Sequence, residues 1–184
     1  MKRPLLLAAR WSRSKGFGVQ SPFAYKFVTT LADGRAVTRN GENVFRHLES
    51  EWQETHGQRR LHRFYARLAR WLLPDTWGGN HLSTACKAYI KAGWPQVRIM
   101  SREDTAEAMV ICLASGSEAD SGSFYEQAVA AATGKTVLII EDIHRDKQAR
   151  LMWNRLKADS RSAQAFDLYQ CGVAFFDQTK TKGH

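Results

Sequence analysis

The stretch Ala165-Phe166-Asp167-Leu168-Tyr169-Gln170-Cys171-Gly172-Val173-Ala174-Phe175-Phe176, AFDLYQCGVAFF, decides the fold. It holds two apolar runs, Ala165–Tyr169 and Val173–Phe176, around a turn at Gln170-Cys171-Gly172. That turn is too short for a helical crossover, so the runs can pair only as an antiparallel hairpin. Upstream the pattern changes. Ala108–Leu113 and Thr136–Ile140 are continuous apolar runs, as expected of strands covered on both faces, and Val97–Met100 reads as a shorter strand. Helices separate them: Leu82–Ala92 with Gly93 as C-cap, Ser123–Ala132 capped by Ser123 and closed by Gly134, and Arg145–Ala158. Strands alternating with helices imply a parallel sheet with helices on both faces. The expected fold is α/β: a mostly parallel, Rossmann-like sheet finished by a C-terminal antiparallel hairpin.

Ahead of the sheet the sequence is helical. Ser21 and Pro22 suit an N-cap and first helical position, and Phe23, Phe27 and Leu31 share one face of a helix over Pro22–Ala32. Arg35–Asn43 reads as a loop and Glu42–Glu54 as a helix that His56-Gly57 breaks. From Gln58 to Leu73 the helical period is clear, with Leu61, Phe64 or Tyr65, Leu68, and Trp71 or Leu72 on one stripe, and Pro74 stops it. Residues 1–57 form an N-terminal helical lead and 58–184 the α/β domain, in a single globular unit. Where the two meet, Leu72–Thr84, LLPDTWGGNHLST, reads as a short strand breaking into a glycine turn and then a helix. Nucleotide-binding α/β proteins hold their cofactor at such a turn.

The balance of 27 Lys and Arg against 18 Asp and Glu gives a net charge of +9. It is unevenly spread. Lys2, Arg3, Arg10, Arg13 and Lys15 precede any acid, Arg59, Arg60, Arg63, Arg67 and Arg70 fill one side of a helix, and the tail adds Lys180 and Lys182. Such patches attract nucleic acid, an anionic membrane surface or another phosphate-rich partner, or form a solvated basic face. They lack the aromatic interleaving of a stacking groove. The apolar run Leu5–Ala9 is too short for a secretory or membrane-spanning segment, so a soluble, cytoplasmic protein is expected. Cys86, Cys112 and Cys171 are odd in number and far apart, which fits buried thiols rather than a disulfide framework or zinc ribbon.

With these elements in order, the chain resembles the class I S-adenosylmethionine-dependent methyltransferases, whose Rossmann-like sheet ends in a sixth strand and an antiparallel seventh. It is most similar to a bacterial branch with a GHGVHSPF-type lead, a DDIHWS motif after the fifth strand, an M..AW helix and a DL...GI.FF close. Here these read Gly16-Phe17-Gly18-Val19-Gln20-Ser21-Pro22-Phe23, Glu141-Asp142-Ile143-His144, Met152-Trp153, and Asp167-Leu168 through Gly172-Val173-Ala174-Phe175-Phe176. The resemblance implies S-adenosylmethionine as cofactor. It places cofactor binding at Gly78 and Gly79, at Glu103 if Val97–Met100 is the second strand, and at Ser115 after the next. Asp142 and His144 would stand near the methyl acceptor, as the catalytic candidates.

The middle of the chain departs from that pattern. The E-x-G triplet of the cofactor loop is absent, Trp77 is bulky where the loop should be open, and Pro74 removes an amide donor. The strand ending in VICLASG carries no carboxylate where the family has FIDG. If Lys87–Met100 is instead the helix and strand that follow the second-strand position, a whole strand-helix unit is missing from the chain. Simpler roles compete at each position: Gly78-Gly79 as a plain turn, Asp142 as a helix cap or turn former, His144 as a surface histidine against the next helix, Met152 and Trp153 as core. No metal is expected, since adjacent Glu141 and Asp142 rarely point at one ion. The expected function is a methyltransferase-like protein with a degenerate cofactor site, acting as a binding or scaffold module. An active methyltransferase of unknown acceptor, or a nucleic-acid binder on the same fold, are the alternatives.

Overall fold

The computed structural model describes residues 22–32, 39–104, 108–113 and 118–180. Helix α1 (Pro22–Phe27) continues as a π-helical turn over Val28–Ala32. Helix α2 (Arg39–Glu51) follows, so part of the expected Arg35–Asn43 loop is helical. Helix α3 (His56–Leu72) begins at the residues expected to break the chain. Thr55 caps it in a reciprocal capping box with Gln58, and the break lies just before, from Trp52 to Thr55.

Six strands form one sheet: β1 (Thr76–Gly79), β2 (Arg98–Ile99), β3 (Val110–Leu113), β4 (Val137–Glu141), β5 (Gln164–Asp167) and β6 (Cys171–Phe175), in the order β2-β1-β3-β4-β6-β5. The first four are parallel, and β6 runs antiparallel between β4 and β5. The mostly parallel sheet with its closing hairpin is therefore as expected. Helices α4 (Thr84–Gly93), α5 (Glu118–Ala131) and α6 (Lys147–Ala158) lie between strands. Ser123, expected as the cap of α5, falls inside that helix. A 3-10 turn at Gln178–Lys180 follows the sheet.

Alternation along the strands sorts the core into two layers. Val110, Cys112, Val137, Ile139, Val173 and Phe175 face one side, under α1, α3 and α4; Ile111, Leu113, Leu138, Ile140, Ala174 and Phe176 face the other, under α5 and α6. Helix α1 is part of the first layer. Phe27 lies 4.2 Å from Phe166 and 5.4 Å from Phe175, ring centre to ring centre. Met152 and Trp153 are buried in the second layer, and a β-carbon on Gly172 would come within 2.6 Å of the Trp153 ring.

The stretch Leu72–Thr84 differs from its sequence reading. Leu72 ends α3, Leu73 caps it in the left-handed conformation (φ 50°), and the strand comes after Pro74, not before it. Gly78 and Gly79 are strand residues, paired with Ile111 and Cys112, and do not form the glycine turn. Between β2 and β3 the described residues contain no helix, and β2 is the sheet edge.

Gly93, expected as the C-cap of α4, is its last helical residue, and Trp94 takes the cap position in extended conformation. Gly93 instead serves packing: a β-carbon there would sit 2.0 Å from the carbonyl oxygen of Ala66 in α3. Helix propensity alone would make Gly93→Ala stabilising by up to about 1 kcal/mol. The α3–α4 contact reverses the sign. Gly93→Ala is expected to cost about 2–3 kcal/mol, read as a lower urea midpoint; an unchanged or higher midpoint would contradict that contact.

Candidate functional site

Open α/β sheets bind ligands outside the carboxyl ends of their parallel strands, at the point where strand order reverses. Here that point lies between β1 and β3, since the chain passes from β1 to the edge strand β2 and then back across to β3. Trp77, in β1, is fully buried. Its indole N–H donates to Cys112 Sγ at 3.2 Å, and its ring centre lies 5.7 Å from that of Tyr65. Two residues on, Gly79 points to the same face. A β-carbon on it would lie 2.7 Å from the Cys112 carbonyl oxygen and 2.9 Å from Leu82 Cδ2. The space that this glycine leaves is filled by the chain's own Leu82, which packs against the first core layer. The next backbone donor is engaged too, the Asn80 N–H donating to the Cys112 carbonyl at 3.2 Å. Ser83 caps α4 by accepting from the Cys86 N–H at 3.1 Å.

Glu103 is exposed in the turn after β2, where Ser101 Oγ donates to Asp104 at 2.5 Å. Ser115 lies outside the described residues. The β2 and β4 ends are three strand spacings apart, about 14 Å, which separates Glu103 from Asp142 and His144.

Asp142 and His144 share the turn after β4. Asp142 adopts φ 49°; its N–H donates to the Gln170 carbonyl at 2.7 Å and its carbonyl accepts from the Arg145 N–H at 2.8 Å. Its backbone forms the turn, and the cap of α6 is Asp146, which accepts from the Ala149 N–H at 2.8 Å. His144 pairs with Asp167 at 2.9 Å, from the end of β5, and its ring centre lies 5.6 Å from that of Tyr169. Tyr169 holds φ 75°, a strained conformation for a bulky side chain. Asp167 and Tyr169 were not anticipated as partners of His144; the only signal was their place in the expected hairpin.

A second pair went unseen. Glu141, the last residue of β4, accepts from the Tyr65 hydroxyl at 2.7 Å. Burial pushes the Glu141 carboxyl up to about 7, Asp142 adds to the rise and the Tyr65 hydrogen bond opposes it. Burial also raises Tyr65 and the thiols of Cys86, Cys112 and Cys171, so these stay protonated and the thiols are poor nucleophiles. All three cysteines are free and buried. Among the described residues no three His, Cys, Asp or Glu side chains form a group that could hold a metal ion. Away from the sheet, His62 sits 2.5 Å from Glu54 with both side chains nearly buried, and burial lowers the His62 pKa.

The arginines of α3 are partly consumed by the fold. Arg63 pairs with Glu49 at 2.6 Å, and Arg67 donates to the Leu31 carbonyl at 3.2 Å, at the end of the π-turn. Arg60 and Arg70 are exposed. No helix among the described residues is long and apolar enough to cross a membrane. Compared with family models, curated proteins and solved structures, the chain matches none.

Glu141 makes stability depend on pH. The folded state keeps its proton where the unfolded chain, at 4.5, has lost it. Stability from this group is therefore full below pH 4.5 and is lost as pH rises through about 7, a change of roughly 3 kcal/mol. Glu141→Gln keeps an acceptor for Tyr65 and removes the titration. The variant is expected to be more stable than the parent at pH 8, with the gap closing toward pH 5, in paired urea melts. A constant gap across that range would contradict the assignment.

Proposed function

We propose that this chain is a class I S-adenosylmethionine-dependent methyltransferase-like protein whose cofactor crevice is filled by its own side chains, and that it acts as a non-catalytic binding or scaffold module. The single observation that carries this reading is Leu82 in the space beside Gly79, with the Asn80 N–H bonded into the sheet. A nucleoside cofactor with an amino-acid tail needs open glycine backbone, free amide donors and acids for its ribose and ammonium groups. Around the end of β1 the described residues do not fit those needs: the glycine is covered, the donor is engaged, and Glu103 stands in an exposed turn. The antiparallel β6 between β4 and β5 agrees with the way the family ends its sheet. The described residues between β2 and β3 hold no helix, which agrees with loss of a strand-helix unit.

A second reading, an active methyltransferase with an unusual site, is favoured by one feature. Asp167 orients His144 as a carboxylate orients a general base. One experiment separates the two. Calorimetric titration of the full chain with S-adenosylmethionine is expected to give no binding heat, and labelled methyl is expected not to pass to any fraction of a cell extract. Micromolar affinity, or transfer abolished by His144→Ala, would establish the second reading.

A further inference from the structure

The outer face of α6 is a one-sided charged surface. Its sequence, KQARLMWNRLKA, has four cations and no acid. Ala149, Met152, Trp153 and Leu156 are buried against the sheet, which fixes the opposite side toward solvent. That side exposes Lys147, Arg150, Leu151, Asn154 and Lys157. The described acids bordering it are already engaged. Glu126 pairs with Arg155 at 2.9 Å, Asp146 caps the helix and bonds Arg145 at 2.6 Å, and Asp159 holds Arg161 at 2.8 Å. Lys147 and Arg150 have no acidic partner among the described residues, and Lys157 lies over the Trp153 ring at 5.7 Å.

We infer that this face binds the phosphate backbone of double-stranded nucleic acid, without reading its sequence. Resting on the reading of the chain as a binding module, the inference names that module's partner. Three properties select the partner. The cations are held on a rigid, core-anchored helix, and Lys147 to Lys157 spans about 15 Å of helical rise, comparable to the axial rise of about four phosphates along one strand. The exposed face carries no aromatic ring, so it offers no stacking platform for unpaired bases. The apolar stripe that would enter a bilayer is spent on the core, and Leu151 is the one large apolar side chain left outside.

The test is fluorescence anisotropy of a labelled duplex of mixed sequence with the full chain, over a salt series and without S-adenosylmethionine. The parent is expected to bind, with affinity falling steeply as salt rises and little change with duplex sequence. Lys147→Ala/Arg150→Ala/Lys157→Ala is expected to bind at least about tenfold more weakly, with a slope of log K against log salt shallower by about 2.7, from 0.9 per lost contact. Arg60→Ala/Arg70→Ala, on α3, is expected to bind as the parent does. A thermal melt checks folding, and the double variant Lys147→Ala/Arg150→Ala, which leaves the Trp153 contact intact, replaces the triple one if that melts early. Absence of duplex binding, an unchanged salt slope in the α6 variants, or binding only to poly-glutamate or phosphatidylserine vesicles would each overturn the inference. None of these results would reopen the crevice beside Gly79, which the calorimetric titration reads separately.

Discussion

The seating of Trp77 and Leu82 against β1 is the constraint on which the rest of the structure depends. A full indole in a strand second from the sheet edge must be buried by helices packed closely above it, and its N–H must find a partner. Tyr65 of α3 and Cys112 of β3 meet those needs. The close approach of α3 and α4 at Gly93 holds the cover in place. With Trp77 fixed, the next residue on that face, Gly79, leaves a gap, and Leu82 closes it on the way into α4. The glycine that would open a ligand cradle in a nucleotide-binding α/β protein here makes room for a leucine.

Helix α3 ties the other half of the sheet's carboxyl end to the same cover. Tyr65 reaches Glu141 at the end of β4, and Gln170 in the hairpin turn donates to the Gly57 carbonyl at 3.1 Å. The exposed His144–Asp167 pair and the strained Tyr169 stand on the rim of this arrangement. Charge is divided in the same way. Arg63 and Arg67 brace the N-terminal helices, whereas α6 turns its cations outward. Among the described residues the cations thus divide into those the fold takes up, Arg63 and Arg67 among them, and those that face solvent, such as Arg60 and Arg70 of α3 and Lys147 and Arg150 of α6, and net charge alone could not tell the two apart.

Much of the fold was legible because its signals are local. Continuous apolar runs gave β3 and β4 to within two residues, and the short spacing around Gly172 forced the hairpin. The stripe of Leu61, Phe64, Tyr65 and Leu68 gave α3. The start of β1 was misplaced because Leu72-Leu73 is an apolar run too short for periodicity to separate a helix end from a strand. The candidate site was less legible. Tyr65 and Glu141 lie 76 residues apart, and His144 and Asp167 lie 23 apart. Such pairs exist only once the sheet has formed. Sequence marked Trp77 as an obstruction, but that Leu82 rather than a ligand would cover Gly79 depends on how the chain turns at Asn80 and His81.

Native-state hydrogen exchange at the Asn80 amide tests this covering of β1 most directly. Bonded to the Cys112 carbonyl beside a packed Gly79, that amide is expected to exchange only by near-global unfolding. Saturating S-adenosylmethionine is expected to leave its rate unchanged. An Asn80 amide that exchanges quickly in the free protein and becomes protected when the nucleoside is added would show an open crevice and contradict the account.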